Sequence, residues 1–365
     1  MKLTNLKLTN YKNYPKVDIV FNDDVNVITG DNGLGKTNLL DAIYQLSFCK
    51  SNFQHQDSLL VNHDQSFFRL EGTFKELKKM LKVAIAFDSK KKKLMQIGNK
   101  KLTKLSEHIG RIPLVFIGPR DIQLIFDGSV ERRKFLDSGI SQLNKKYLQE
   151  LLHYNKVLIQ RNAYLKSTNL HSFDRGIIDS YNSQLIGPAE WIHAERKRFI
   201  DAFKLTFQES YEALSGGKEK ASCLYKSQLD ETNFIKLLGE SLEKDVVLQR
   251  TTIGIHKDDL VFLLDELPLK RFGSEGQLKT YLLALKLSMW KELNKHSDKT
   301  PLLLLDDIFA KLDNHRVKNL LYFVQEECRA QVFISDTHST RVSDILNELT
   351  MNHKVFSIKN NQVYE

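Results

Sequence analysis

Three observations predict an α/β fold with a mostly helical second lobe. A β-rich run, Val25–Thr29, passes through a glycine-rich turn into a helix-spaced segment near Asn38. An apolar run, Leu302–Leu305, ends in two carboxylates, Asp306 and Asp307. From about Asp121 to Lys244, β-rich runs thin out and Leu, Lys, Gln, Glu and Arg dominate, with apolar residues three and four apart, the helical spacing. The expected division is a first lobe of residues 1–120 and 300–365, and a helical second lobe of residues 121–299.

The elements follow in order. Val17, Ile19 and Phe21 alternate as in a half-buried strand. Leu39, Leu40, Ile43 and Leu46 fall on one side of a helix. Strands are expected at Phe67–Phe74, Lys82–Phe87, Leu94–Ile97 and Leu114–Ile117, and helices within 130–161 and 179–214. Strand character returns at Leu248–Ile255 and Asp259–Leu264. The last third alternates: helix 274–294, strand 302–306, helix 314–327, strand 331–335.

Composition narrows the class. The apolar runs fall far short of the ~18 residues a membrane helix needs, and mean hydropathy is −0.36, which argues against an integral membrane protein. With 21 Phe and 12 Tyr the chain can build a core, so disorder is excluded. The first residues lack a signal-peptide apolar segment. Cys49, Cys223 and Cys328 have neither disulfide-framework nor zinc spacing. A cytoplasmic location is expected. The net charge of +9 points to a polyanionic partner: nucleic acid, a membrane surface or an acidic protein.

Gly30-Asp31-Asn32-Gly33-Leu34-Gly35-Lys36-Thr37 fits G-x-x-x-x-G-K-[ST] between a strand and a helix. The glycines admit close backbone approach and positive φ. Their N–H groups and the helix N-terminus form an anion cradle. Lys36 is expected on the β- and γ-phosphates of ATP, and the Thr37 hydroxyl on Mg²⁺. Asp306 is the expected second holder of Mg²⁺, and Asp307 the residue that polarises the attacking water. The two motifs stand near opposite ends of the chain with a helical insertion between them, the layout of ABC-type P-loop ATPase heads. That class has a third element before the acidic strand, and Ser274-Glu275-Gly276-Gln277 stands there. Ser274, Gly276 and Gln277 are candidate contacts to nucleotide held by a second copy. Ser274 and Gln277 also read as a capping box. Glu275 opposes anion binding unless it points away. Ala310-Lys311-Leu312-Asp313 reads as a loop communicating across such a dimer, or as a simple helix start.

With these residues in place, the chain resembles the RecF family of bacterial recombination-mediator ATPases, relatives of the SMC proteins with a short arm. The resemblance runs nearly end to end. It rests on Leu8–Tyr14, on Gly30–Asn38 (GDNGLGKTN), on Arg132–Asp137 and Gln160–Ala163 in the arm, on Thr251–Leu260, on Ser274–Leu287 and on Leu303–Asp313. The family usually has Pro, Arg, an acidic residue and Gln where this chain has Ile255, Lys257, Arg120 and Glu275. The resemblance implies an ATP-dependent homodimer that binds single-stranded, gapped or junction DNA. It implies work with RecR and RecO to help load RecA, in repair, replication restart and the SOS response, and a weak DNA-stimulated ATPase. His338, in Ser335–His338, reads either as a switch histidine or as a polar loop residue. Asp307 stands where many ABC ATPases have Glu; one methylene shorter, it places the water less well and predicts slow hydrolysis. Lys90–Lys93, Lys100, Lys101 and Lys104, and Arg196-Lys197-Arg198, are candidate DNA contacts or solvated charge.

Three rival functions share the ATP motifs. A transporter ATPase subunit would need a membrane partner. A scaffold would bind ATP without turning it over, and a small-molecule kinase would not need Ser274–Gln277 or the arm.

Overall fold

The run Leu302–Leu305 has no polar face, and it lies inside a sheet. The computed structural model describes residues 1–77, 79–168, 174–217, 219–309, 314–338 and 340–365. Its strands are β1 (Lys2–Tyr11), β2 (Tyr14–Val20), β3 (Val25–Thr29), β4 (Phe67–Glu76), β5 (Lys79–Asp88), β6 (Lys91–Ile97), β7 (Lys100–Lys101), β8 (Leu114–Ile117), β9 (Ala221–Lys226), β10 (Asp259–Leu264), β11 (Leu267–Pro268), β12 (Leu302–Asp306), β13 (Val332–Asp336), β14 (His353–Lys359) and β15 (Gln362–Tyr364). The chain divides into two compact units. The first is Met1–Asp121, Ser210–Gly217 and Leu282–Glu365; the second is Ile122–Glu209 and Lys218–Tyr281.

Residues 282–299, placed with the helical lobe on sequence grounds, cluster with the first unit. Burial explains why. Leu285, Leu287, Trp290 and Leu293 are buried there. Trp290 Nε1 donates to Pro301 O at 2.9 Å, and Lys286 Nζ reaches Asp121 Oδ1 at 2.7 Å and Phe116 O at 3.0 Å.

The first unit holds two sheets. One has the order β15-β14-β3-β13-β12-β8; β14 through β8 are parallel and β15 is antiparallel. Every residue of β3, β12 and β13 is buried, as a parallel sheet covered on both faces requires. The register sets Asp306 beside Ser335. The other sheet is antiparallel, β2-β1-β4-β5-β6-β7. Its alternating Leu6, Leu8, Val17 and Ile19 join one core with Leu39, Leu40, Ile43 and Leu46 of helix Lys36–Phe48.

The second unit is built on helices Ser129–Leu143 and Lys145–Ser167, the helix from Arg175, and a small antiparallel sheet, β11-β10-β9. Strand β9 lies inside the stretch read as helical. The strand expected at Leu248–Ile255 does not form. Helix Leu242–Leu248 runs into it, and Gln249 is left-handed (φ 53°). The Thr251 and Thr252 N–H groups donate to side chains, Asn162 Oδ1 at 2.7 Å and Asp245 Oδ1 at 2.8 Å, rather than to a ladder. Gly254 has φ +129°, and a Cβ there would meet Tyr154 Oη at 2.5 Å. Local β propensity loses to these side-chain bonds.

The arm motifs form two buried charge networks in this unit. Arg196, 1% exposed, donates to Asp137 Oδ1 at 2.9 Å, Asp258 Oδ2 at 2.7 Å and Ile255 O at 2.8 Å. Arg161, 0% exposed, holds Asp245 Oδ2 at 2.8 Å and Thr251 Oγ1 at 2.7 Å. Arg132 grips the Asp259 carboxylate with two nitrogens at 2.7 and 3.0 Å. These motif residues therefore hold the unit together.

Two histidines, His108 buried and His256 half-buried, make stability pH-dependent. Burial lowers His108 and His256 from 6.5 to about 4. The His256 ring lies between Tyr154 Oη and Thr251 O, at 2.8 and 3.1 Å, which fits the neutral ring. Between pH 6.5 and 4 the unfolded chain takes up protons that the folded chain refuses. Stability is therefore present above 6.5 and falls as pH drops, by about 1.4 kcal/mol per pH unit for each histidine. Burial raises Asp306 and Asp258, which act in the opposite sense over their own range, so a comparison is needed. The double variant His108→Gln, His256→Gln is expected to lose less melting temperature than the unmodified chain between pH 6.5 and 4.5. Parallel curves would contradict this.

Candidate nucleotide-binding site

The glycine turn closes β3 and opens helix Lys36–Phe48. Gly30, Gly33 and Gly35 have φ of 149°, 83° and 106°. At Gly35 a side chain has no room, since its Cβ would meet Asn13 Nδ2 at 2.4 Å. Gly35 caps the helix in the left-handed region without a side-chain bond, and no acidic residue lies in the first turn. The helix N-terminus thus presents backbone N–H groups and the positive end of its dipole.

Lys36 folds over the turn, its ammonium 2.6 Å from Gly30 O and 3.0 Å from Asp31 O. Burial lowers its pKa, opposed by Asp307, Asp306, Asp336 and Asp31. Thr37 Oγ1 lies 2.9 and 3.0 Å from the two oxygens of Asp306. The parallel pairing of β3, β13 and β12 brings these distant residues together. Burial raises the Asp306 carboxyl, and the bonds from Ser335 and Thr37 counter it. Asp307 has φ 47°, a left-handed conformation that a short polar side chain tolerates. Its Oδ1 is buried with no hydrogen-bond partner among the described residues.

Several residues in segments already singled out, Leu8–Tyr14 and Ser335–His338, have roles at the phosphate site that the sequence did not assign. Ser335 Oγ lies 2.7 Å from Asp306 Oδ1 and accepts the Asp307 N–H at 2.9 Å, linking the two carboxylates. Its signal was a serine ending an apolar strand beside the acidic one. The opening segment braces the turn. Asn13 Nδ2 donates to Leu34 O at 2.9 Å and Tyr14 Oη to Gly35 O at 3.0 Å. Lys12 Nζ reaches Asp41 Oδ2 at 2.7 Å, and Tyr11 Oη donates to the same oxygen at 2.9 Å.

Ser274 and Gln277 lie in the second unit and form the expected capping box. Ser274 N donates to Gln277 Oε1 at 2.6 Å, and Gln277 N to Ser274 Oγ at 3.3 Å. Glu275 is 83% exposed and pairs with Lys279 at 2.6 Å, so its charge is drawn along the helix. Residues 310–313, the expected communicating loop, lie outside the described residues. His338 is exposed, and its N–H donates to Asp336 Oδ1 at 3.0 Å.

Some charge clusters change meaning. Arg196 is wholly engaged inside the second unit and presents nothing to DNA. Lys197 and Arg198 pair with Asp230 and Glu195 at 2.8 and 2.6 Å. Lys93 is 10% exposed and bound to Asp57 at 2.7 Å. Lys90, Lys100, Lys101 and Lys104 are exposed. Among the described residues no helix is long and apolar enough to cross a membrane, and no cluster of three or more His, Cys, Asp or Glu suits a metal ion.

Fold and site together define a P-loop head of the ABC and SMC class. Residues 2–362 match the RecF/RecN/SMC N terminal domain family. The DNA replication and repair protein RecF of Flavobacterium johnsoniae is 41% identical over 98% of this chain and 100% of its own. That of Parabacteroides distasonis is 40% identical over 100% and 99%. The solved recombination mediator protein RecF-ATP of the RecFOR pathway is 27% identical with a TM-score of 0.88, covering 100% of this chain and 97% of its own. An SMC head at 15% identity, TM-score 0.58, shares the fold. The chain belongs to the RecF family.

Proposed function

We propose that this protein is an ATP-dependent DNA-binding mediator of DNA repair, replication restart and SOS induction. Two copies close on two ATP molecules, each held between Gly30–Thr37 of one copy and Ser274, Gly276 and Gln277 of the other. Closure shapes a surface for single-stranded, gapped or junction DNA, and hydrolysis reopens it. The observation that carries this reading is the meeting of Thr37 with Asp306 beside the glycine cradle. A hydroxyl and a carboxylate are hard oxygen donors suited to Mg²⁺, which takes one or two carboxylates and completes its shell with phosphate and water. When bound, Mg²⁺ neutralises phosphate charge. Lys36 exchanges its two carbonyl partners for phosphate oxygens, and the backbone of Gly30–Gly35 supplies N–H donors. Asp307, with its unpartnered oxygen, orients the attacking water. Its short side chain makes turnover slow, which suits a timer. The RecFOR pathway of the solved relative supports RecR and RecO as partners; RecA loading and a cytoplasmic location are part of the same proposal.

Sedimentation tests the clamp. A non-hydrolysable ATP analogue with Mg²⁺ is expected to double the molecular mass, and ADP to leave it single. Ser274→Arg, placed at the other copy's nucleotide, should keep ATP binding and lose the dimer. A mass that ignores nucleotide would sink the clamp.

A further inference from the structure

The segment Thr251–Leu260 belongs to the second unit and takes no part in the phosphate site. Most of its polar groups are engaged internally. Thr251 and Thr252 bind Asn162 and Asp245, His256 lies between Tyr154 and Thr251, and Asp258 and Asp259 bind Arg196 and Arg132. Lys257 is different: it is exposed, and so is Arg250. Neither forms an ion pair among the described residues. The charges acting on Lys257 are chiefly Arg250 and Arg133, both of its own sign. The acid that opposes them, Asp245, is buried and already bound by Arg161. Burial first, and then these cations, hold the Lys257 ammonium below the usual lysine range.

The turn cannot relax the repulsion by moving. Arg196 Nη1 holds Ile255 O at 2.8 Å, Lys257 N donates to Gly254 O at 2.8 Å, and Arg133 Nη1 donates to Asp258 O at 2.5 Å. Lys257 on this fixed turn and Arg250 before it thus carry exposed charges with no ion pair among the described residues, beside Arg133 of helix Ser129–Leu143, whose own charge is opposed by Asp258, Asp137 and Asp259. An arriving anion relieves that repulsion, and a preorganised cluster binds it without reordering.

We propose that Lys257, Arg250 and Arg133 form a phosphate-binding ridge whose ligand is the phosphodiester backbone of nucleic acid. This rests on the DNA-binding reading above and places a contact in the second unit, whereas the lysine hairpin β5–β6 belongs to the first. Phosphate contacts fix position and are blind to base sequence. Lys257 and Arg250 supply the replaceable charges, and Arg133 also has a structural bond.

The test is R250Q/K257Q in the full chain, with gapped-duplex affinity measured over a salt series in the presence of ATP. A control, K204Q/K236Q, removes the same charge from exposed lysines paired with Asp201 and Glu240. The ridge variant is expected to flatten the slope of log affinity against log salt by about 2, one per lost phosphate contact, for different base sequences alike. The control should keep the slope. A ridge slope equal to that of the unmodified chain, or an equal drop in the control, overturns the ridge while leaving DNA binding in place. An unmodified chain that binds no DNA overturns both. Calorimetry with inorganic pyrophosphate separates the sources. Binding lost in R250Q/K257Q with the DNA slope unchanged would assign the ridge to a free anion and overturn the nucleic-acid assignment.

Discussion

Arg196→Ala is expected to destabilise the protein by about 3–5 kcal/mol, the cost of leaving buried carboxylates without their partner. Asp137 and Asp258 lose their shared guanidinium, and Ile255 O loses a donor. Arg196→Lys should recover little, because an ammonium cannot serve three acceptors in one plane. Urea denaturation measures this. Adding Asp137→Asn and Asp258→Asn to Arg196→Met should restore part of the loss, since removing the whole network costs less than breaking it. A destabilisation below about 1 kcal/mol for Arg196→Ala would contradict the network's role. So would a pure loss of DNA affinity with unchanged stability, which would mark Arg196 as a surface contact after all.

The second large effect is on nucleotide binding. Lys36→Ala is expected to weaken ATP about 10- to 100-fold, the equivalent of charge-assisted hydrogen bonds of about 1.5–3 kcal/mol. A fluorescent ATP analogue, titrated with Mg²⁺, reads this directly. The variant should still fold, because the carbonyls that Lys36 holds, Gly30 O and Asp31 O, sit at a loop that water can reach. Affinity within twofold of the unmodified chain would remove Lys36 from the site. Ser335→Ala should show a smaller loss that follows Mg²⁺, since Ser335 touches Asp306 and Asp307 and acts through them.

The parts of the fold carried by local pattern were legible. Leu114–Ile117, Asp259–Leu264 and Leu302–Asp306 occupy the expected positions as strands, because buried or alternating apolar runs leave little choice. The glycine turn was legible because only glycine serves its backbone at Gly35. What failed depends on residues far apart in the chain. Leu248–Ile255 has strand-forming residues, but Asn162 and Asp245 take its N–H groups. Strand β9 is the partner of β10, and nothing inside Ala221–Lys226 announces that pairing. Arg196-Lys197-Arg198 reads as a surface charge run. Only the fold shows that the first arginine is enclosed with Asp137 and Asp258 while its neighbours stay outside. Ser335 needed the parallel register of β12 and β13 before its role appeared.

Nucleotide is expected to control DNA binding through closure of two copies. Fluorescence anisotropy of a gapped duplex, titrated with protein under ATP, ADP or no nucleotide, tests it most directly. Tight binding under ATP that is lost under ADP, without nucleotide and in Lys36→Ala is the predicted result. Equal binding in all three states would detach DNA from the nucleotide site and contradict the account.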